Sequence, residues 1–382
     1  MTNYPQQNNM NNRLILIIFL SLVVYSCSFN TFPIGDKSVP PQTQEEINLI
    51  AQGEKLNQQK KYKESIILFN KILDVHPNNV SVIYQLSKTH YELGDYETAF
   101  DYAELGMNFN SDFRINFIYQ AESCLYKLNR QDDIETLYKE AINYPPKKSK
   151  TSFLEMMYVR LSQFYSKKLD YLNAENNIIK AIELNKYSPH AHYELTIIYI
   201  AQQRMFEALF SSWLFLINEP NSSRAKKLIK QMDAFVNPNK FINDDNIKSN
   251  TLVIDNSNQG EYSSIKLLWE MNKESIKLEN NDLTKEELKK IEFFNIIKLF
   301  KYLSNIFITT DNSDQSSITK QKFINKFHIP LLSKIKENNF FEPMLYHAYS
   351  RSDYYGIKPW LDNNANNYRI NDFLNWYNKN TN

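Results

Sequence analysis

The chain has 382 residues with 44 basic and 43 acidic side chains, a formal net charge of +1, so nothing in its charge favours nucleic acid, whose binders concentrate positive charge. Aromatic residues make up 14%, with 25 Tyr and 24 Phe, while Gly numbers only 6. That composition allows a large aromatic core and argues against Gly-rich phosphate loops and many tight hairpins. The two cysteines are Cys27 and Cys124; if Cys27 has another use, no internal disulfide is available and the fold stands on packing.

Residues 14–24 read Leu-Ile-Leu-Ile-Ile-Phe-Leu-Ser-Leu-Val-Val behind Arg13. A positive residue, an apolar run and a small residue at the cut form the layout of a secretory signal. The run is shorter than the roughly 17 to 25 residues that span a bilayer. The string Val24-Tyr25-Ser26-Cys27 resembles the lipobox of bacterial lipoproteins, although Tyr25 departs from the usual small middle residue. The resemblance implies a signal peptide over 1–26, cleavage before Cys27 and lipidation of Cys27. An ordinary signal peptide ending near a cysteine, or an uncleaved anchor, are the alternative readings, and Met10 would give a shorter leader as the start. Residues 27–45, with Pro33, Pro40 and Pro41, read as a flexible tether. Ser28 follows the Cys where an Asp would suggest retention in the inner membrane, and no acidic cluster of the surface-export kind follows. The expectation is an outer-membrane lipoprotein facing the periplasm.

From residue 46 the chain repeats with a period close to 34 residues. The unit 46–79 carries Gly53, Tyr62, Phe69 and Pro77 at positions eight, seventeen, twenty-four and thirty-two. The unit 80–113 carries Leu86, Tyr91, Gly94, Tyr96 and Ala99. A more degenerate third begins near 115 with Ala121, Tyr138, Ala141 and Pro146, and a short insertion with Lys147, Lys148 and Lys150 follows. The unit 155–188 has Tyr158, Leu161, Tyr165, Tyr171, Ala174 and Ala181; the fifth starts at 189 with Leu195, Tyr199, Ala208 and Pro220. This pattern resembles the tetratricopeptide repeat (TPR). The resemblance implies two antiparallel helices per unit, small residues where helices approach, large ones between units, and no unit stable alone. Residues 46–236 are then a TPR array, with a capping helix over 221–233.

Beyond it the text is less legible. Residues 237–262 are polar and broken and read as a linker; 263–382 reads as a helical C-terminal region. Thr284 and Glu287 form a Thr-x-x-Glu capping box. It opens a helix whose apolar face is expected from Ile291, Phe294, Ile297, Leu299 and Leu303. Further helices are expected near 318–338, 340–349 and 369–379, with Trp360 and Trp376 as candidates for an aromatic core. The fold class is therefore all-α: a TPR superhelical solenoid followed by a smaller helical C-terminal region. Taken whole, the order resembles uncharacterised TPR proteins of Bacteroidetes.

Chemistry is sparse. His190 and His192 stand two apart on a helix and point to different sides, so packing or surface roles outweigh zinc binding. His76 reads as a turn residue, and His90 and His347 as packing or surface residues. Asp132-Asp133 and Asp244-Asp245 are adjacent acids whose side chains diverge. Cys124 falls among apolar residues as an inert thiol. No His-Glu-x-x-His, Gly-x-Ser-x-Gly or Walker-type loop occurs. No catalytic, cofactor or metal site is expected.

In TPR arrays the first helices line the concave face at positions two, five, nine, twelve and thirteen. By that resemblance the groove takes Glu54 and Asn57 from the first unit, and Tyr84, Lys88 and Tyr91 from the second. The third gives Tyr119, Ser123, Tyr126 and Lys127, the fourth Gln163 and Lys167, the fifth His190 and Tyr193. Tyrosine offers contact area and a hydroxyl at low entropy cost, which suits a protein or peptide partner. Packing of some of these rings between helices is the alternative. The expected function is a membrane-anchored periplasmic scaffold in an envelope assembly or secretion complex. The rivals are a solute- or glycan-binding lipoprotein and an enzyme with an unrecognised site in the C-terminal region.

Overall fold

The computed structural model describes residues 34–35, 37–146, 149–236, 284, 293–294, 296–298, 300–302, 304–305 and 327–381. Cys27 and the signal, Lys147-Lys148, the 237–262 linker, and Glu287, Ile291, Leu299 and Leu303 lie outside the described residues. The named elements are all helices, arranged as the successive helix pairs of a TPR-type solenoid. The chain divides into two compact units, residues 1–157 and 158–382.

The first unit contains three helix pairs: α1 (Gln44–Gln58) with α2 (Tyr62–Val75), α3 (Val80–Leu93) with α4 (Tyr96–Met107), and α5 (Arg114–Lys127) with α6 (Asp132–Asn143). It ends within α7 (Lys150–Lys167). Local signals set the helix ends. Thr43 and Glu46 close a reciprocal capping box on α1, Asn79 accepts from the Val82 N–H, and Asp95 accepts from the Thr98 N–H; each satisfies donors that the first turn leaves open. Gly94, at φ +88°, ends α3 in the left-handed conformation, which glycine adopts without a Cβ penalty.

Packing within and between pairs follows the repeat. The Phe69 ring lies so close to Gly53 that a Cβ there would sit 2.3 Å from its Cε1. Phe69 also joins Ile72 and the next pair's Val82 and Leu86 in one core. A Cβ on Gly106 of α4 would meet Phe117 of α5 at 2.2 Å, a similarly close approach between the second and third pairs. Serine hydroxyls cross between paired helices: Ser65 Oγ donates to the Gly53 carbonyl at 3.0 Å and Ser87 Oγ to the Ala99 carbonyl at 2.6 Å. These buried bonds satisfy the hydroxyl while letting the backbones approach.

The segment assigned to the tether is docked from Ile34 onward. Gly35 N–H donates to the Met107 carbonyl at 3.3 Å, Lys37 N–H to the Asn108 carbonyl at 3.0 Å, and Asn110 N–H back to the Lys37 carbonyl at 2.8 Å. Arg114, only 2% exposed, donates to the carbonyls of Phe109, Tyr144 and Gly35. A guanidinium has five donors in a rigid fork, so one side chain joins three stretches of chain.

The second unit contains the rest of α7 paired with α8 (Tyr171–Leu184), then α9 (Pro189–Ala201) with α10 (Met205–Asn218), and α11 (Ser223–Val236). Ser162 Oγ donates to the Ala174 carbonyl at 2.7 Å, repeating the serine bond of the first unit. Every residue of α10 from 207 to 217 is buried, because α9 packs on one side and α13 on another. The C-terminal elements are α12 (Ile329–Glu337), α13 (Phe341–Ala348), α14 (Ile357–Leu361) and α15 (Asn364–Thr381). Asn218 Nδ2 donates to the Tyr377 hydroxyl at 3.0 Å, and His347 Nε2 to the Ile217 carbonyl at 3.0 Å. Of the expected apolar face, Ile297 is buried and Phe294 is not. Phe293, Ile296, Ile297 and Phe300 are buried whereas Phe294 is 62% exposed, since Phe293 packs on Tyr346, Tyr349 and Tyr354. Among the described residues no helix is long and apolar enough to cross a membrane.

Candidate functional site

The groove residues assigned from the sequence all lie on first helices, and their side chains meet neighbours in specific ways. In the first unit, Glu54 accepts a hydrogen bond from Gln85 Nε2, and Asn57 Nδ2 donates to Thr89 Oγ1 at 2.7 Å. Thr89 Oγ1 in turn donates to the Gln85 carbonyl at 2.6 Å. These side chains border a hollow of about 520 Å³, completed by Gln58, Lys60, Tyr62, Lys88 and Glu92. Asn57 Oδ1 is buried there with no hydrogen-bond partner among the described residues.

Tyr84 leans on Phe113 at 5.6 Å and stands edge-on to Phe117 at 5.5 Å, with Lys88 Nζ over its ring at 5.7 Å. Tyr91 stands edge-on to Tyr96 at 5.2 Å, and Lys127 Nζ lies 5.8 Å from the Tyr96 centroid. Tyr84 and Tyr91 are half-buried and held by aromatic neighbours, with lysine heads over Tyr84 and over Tyr96. Ser123 Oγ is turned to the Tyr119 carbonyl at 2.8 Å. Tyr119 and Tyr126 are half-buried and Lys127 is exposed.

In the second unit, Gln163 Nε2 donates to Glu194 Oε1 at 2.7 Å, and Lys167 is exposed. Tyr193 sits 4.9 Å from the Phe215 ring. Arg224 of α11 covers both, at 4.9 Å from Tyr193 and 5.4 Å from Phe215. Arg224 is held by both carboxylate oxygens of Glu219, at 2.9 and 2.8 Å, and touches His190 Nδ1 at 3.2 Å. Tyr193 is half-buried, its ring packed beneath an arginine whose Nη2 is held by both oxygens of Glu219.

The two polar rungs share a rule. Glu54 and Gln163 occupy position nine of their units, and Gln85 and Glu194 occupy position six of the following ones. A carboxylate faces a carboxamide in both, with the order reversed. Gln85, Thr89, Glu194 and Arg224 were missed by sequence reasoning because the positions chosen for a groove omit six and ten. A search for complementary polar residues spaced about one repeat apart would have found the first three.

The other candidates have ordinary partners. His90 Nδ1 is 3.0 Å from Asp95 Oδ2 and stacks on Tyr102. Asp132 and Asp133 open α6, and Arg130 pairs with Asp133 at 2.8 Å, a favourable place for acids near a helix N-terminus. Cys124 has no exposed surface, and burial pushes its thiol up to about 11, which leaves it protonated and inert. Trp360 stacks face to face on Tyr346 at 3.9 Å, and Trp376 packs on Phe340. Among the described residues no three His, Cys, Asp or Glu side chains gather as a metal site.

No protein-family model matches the sequence, and no curated protein matches it. Two crystal structures of MamA align at 17% identity: one over 46% of this chain and 91% of that chain with a TM-score of 0.35, the other over 47% and 96% with 0.34. The crystal structure of TTC0263, a thermophilic TPR protein in Thermus thermophilus, aligns at 17% identity over 50% of this chain and 97% of that chain, with a TM-score of 0.35. The chain is thus similar, distantly and in part, to TPR proteins, and its description as a TPR-type array rests on its own helix pairs.

Proposed function

We propose that this chain is an interaction scaffold that takes a segment of another protein along the first-helix face of residues 44–146. The observation that carries the reading is the polar hollow of about 520 Å³ between α1 and α3, bordered by Asn57, Gln85 and Thr89, whose side chains link the two helices. The carboxylate, carboxamide and ammonium groups that line it offer both donors and acceptors to the backbone of an extended peptide. Half-buried tyrosines held by neighbours add rigid contact area whose ordering cost is already met. The polar lining carries Glu54, Glu92, Lys60 and Lys88, a balanced set that favours a peptide read through its amides over a strongly charged one.

The signal-like leader and Cys27 support tethering by a lipid at the outer membrane, facing the periplasm. In that setting the partner belongs to an envelope assembly or secretion complex. Site-specific photocrosslinking in the native cells tests the binding claim. A crosslinker at position 88 should trap one defined protein that a crosslinker at position 67, on the second helix of the first pair, does not. Equal products from both positions, or none from 88, would remove the reading's support.

A further inference from the structure

The segment ahead of α1 lies along one edge of the first unit. Connections between successive helix pairs, at residues 76–79, 108–113 and 144–146, form that edge. Gln42 Nε2 donates to Asn79 Oδ1 at 3.0 Å in the first connection. Lys37 and Phe109, in the second, form an isolated parallel bridge. Gly35 fits there without a side chain, since a Cβ would sit 2.7 Å from the Asn108 carbonyl oxygen. Arg114 donates to the Gly35 carbonyl and also to the Tyr144 carbonyl of the third connection. From Gln42 back to Gly35 the chain therefore passes from the first junction towards the third.

Building on the Cys27 anchor, we propose that this edge of the first unit, around Phe109, Arg114 and Tyr144, is held against a lipid surface and the polar hollow is turned to the aqueous side. Cys27 lies seven positions before Ile34 and sixteen before Thr43. An extended chain reaches about 3.5 Å per residue, so docking at Ile34 cuts the leash from about 55 Å to about 25 Å. Docking also moves the exit of the leash from the start of α1 to the edge at Arg114. A flexible leash of that length averages only about 15 Å. An uncleaved leader ending at Val24 would hold the protein by the same edge.

The chemistry of the edge suits lipid headgroups. Tyr144 is 56% exposed and Val39 is 41% exposed; Lys37 and Lys150 are exposed, as is Asp112. Tyrosine carries an apolar ring with a polar tip, the combination favoured where acyl chains meet headgroups. Lysine lays its stem on apolar surface while its ammonium reaches phosphate. The hollow stands at the other end of the helices. α1 and α3 have 15 and 14 residues, which makes them about 20 Å long. Gln58, Lys60, Thr89 and Glu92 line the hollow at their far ends, so a partner approaches from the aqueous side.

Energy transfer from protein to membrane tests the orientation. The full chain is coupled through Cys27 to a maleimide-bearing phospholipid in phosphatidylethanolamine–phosphatidylglycerol vesicles, which supplies the anchor whether or not cells attach one. Cys124 has no exposed surface and does not compete. A fluorescent amino acid replaces Tyr144, or Asn129, exposed beyond the opposite end of α5, and the lipid headgroups carry the acceptor. The donor lifetime should be shorter at 144 than at 129. Gly35→Val with Lys37→Pro places a side chain against Asn108 and removes the Lys37 N–H, so it should release the segment and abolish the difference. An insert of about twelve Gly and Ser residues after residue 30 lengthens the leash without touching the helices and should narrow the difference.

Equal lifetimes at 144 and 129, or a shorter one at 129, would overturn the proposal. So would a difference undiminished in both altered chains. The anchor itself is judged separately, by the mass of the N-terminal peptide of the chain made in native cells. An unmodified Cys27 there refutes the lipid, while the vesicle result still decides the orientation.

Discussion

Gly53 and Phe69 touch so closely that glycine is the residue their helices can accommodate: a Cβ at Gly53 would lie 2.3 Å from Cε1 and 2.5 Å from Cζ of a ring with no exposed surface. In a helix interior Gly→Ala ordinarily gains about 1 kcal/mol, but here it overfills a packed core at about 1–3 kcal/mol. Gly53→Ala is expected to destabilise by about 1 kcal/mol and Gly53→Val by more, read from denaturant midpoints. Gly94 is the control. Nothing lies within 4 Å of its missing Cβ, so Gly94→Ala costs only its left-handed φ, about 1 kcal/mol.

Arg114 makes a second prediction. Its bonds to the Gly35, Phe109 and Tyr144 carbonyls tie the docked N-terminal segment to two helix connections. Arg114→Leu should cost about 2–4 kcal/mol, the scale for losing buried hydrogen bonds to a charged group, and should open residues 34–43 to protease. Arg114→Lys should not restore protection, because a single ammonium cannot fork to three carbonyls. Equal protease resistance in all three proteins would contradict the cradle.

Glu46 gives a pH prediction. Its carboxylate accepts from the Thr43 N–H at 2.7 Å and from Asn79 Nδ2 at 2.8 Å. The Thr43 backbone bond foremost, with the Asn79 and Thr43 side chains, holds its pKa below the usual 4.5 against the opposing effect of burial. A depressed carboxylate adds stability above its unfolded pKa and loses it as pH falls through the folded value. Thermal melts in mild acid should show Glu46→Gln narrowing its gap to the unaltered chain as pH drops below about 4.5. Thr43→Ala should cost about 1 kcal/mol near neutral pH through loss of the cap.

The repeats were legible because each is a local pattern. Gly53, Phe69, Leu86, Ala99 and Ala174 stand at spacings the chain repeats, and all are buried as that register requires. The helices α12, α13 and α15 overlap the spans 318–338, 340–349 and 369–379 expected to be helical. The docked segment was not legible. It is held by backbone groups and by an arginine 79 positions away from its Gly35 partner, and neither leaves a periodic trace. Arg224 over Tyr193 is of the same kind, since a capping helix has no repeat to betray its register. Phe293 and Phe294 are adjacent phenylalanines, and periodicity alone could not choose between them.

The interaction surface predicts a separation of binding from stability. Lys88 is exposed and Asn57 makes one side-chain bond, to Thr89. Asn57→Ala with Lys88→Glu should weaken the partner at least about tenfold, while costing no more than about 1 kcal/mol of stability. Tyr193→Ala should do the opposite, because its ring is packed beneath Arg224. Calorimetric titration with the recovered partner alongside thermal melts of each variant checks both.

The most direct measurement is the amide-exchange footprint of that partner on the full chain. Binding along the first-helix face predicts slowed exchange in α1, α3 and α5, with α2, α4 and α6 changed little. Protection confined to α2, α4 and α6, or to α12–α15, would contradict the account.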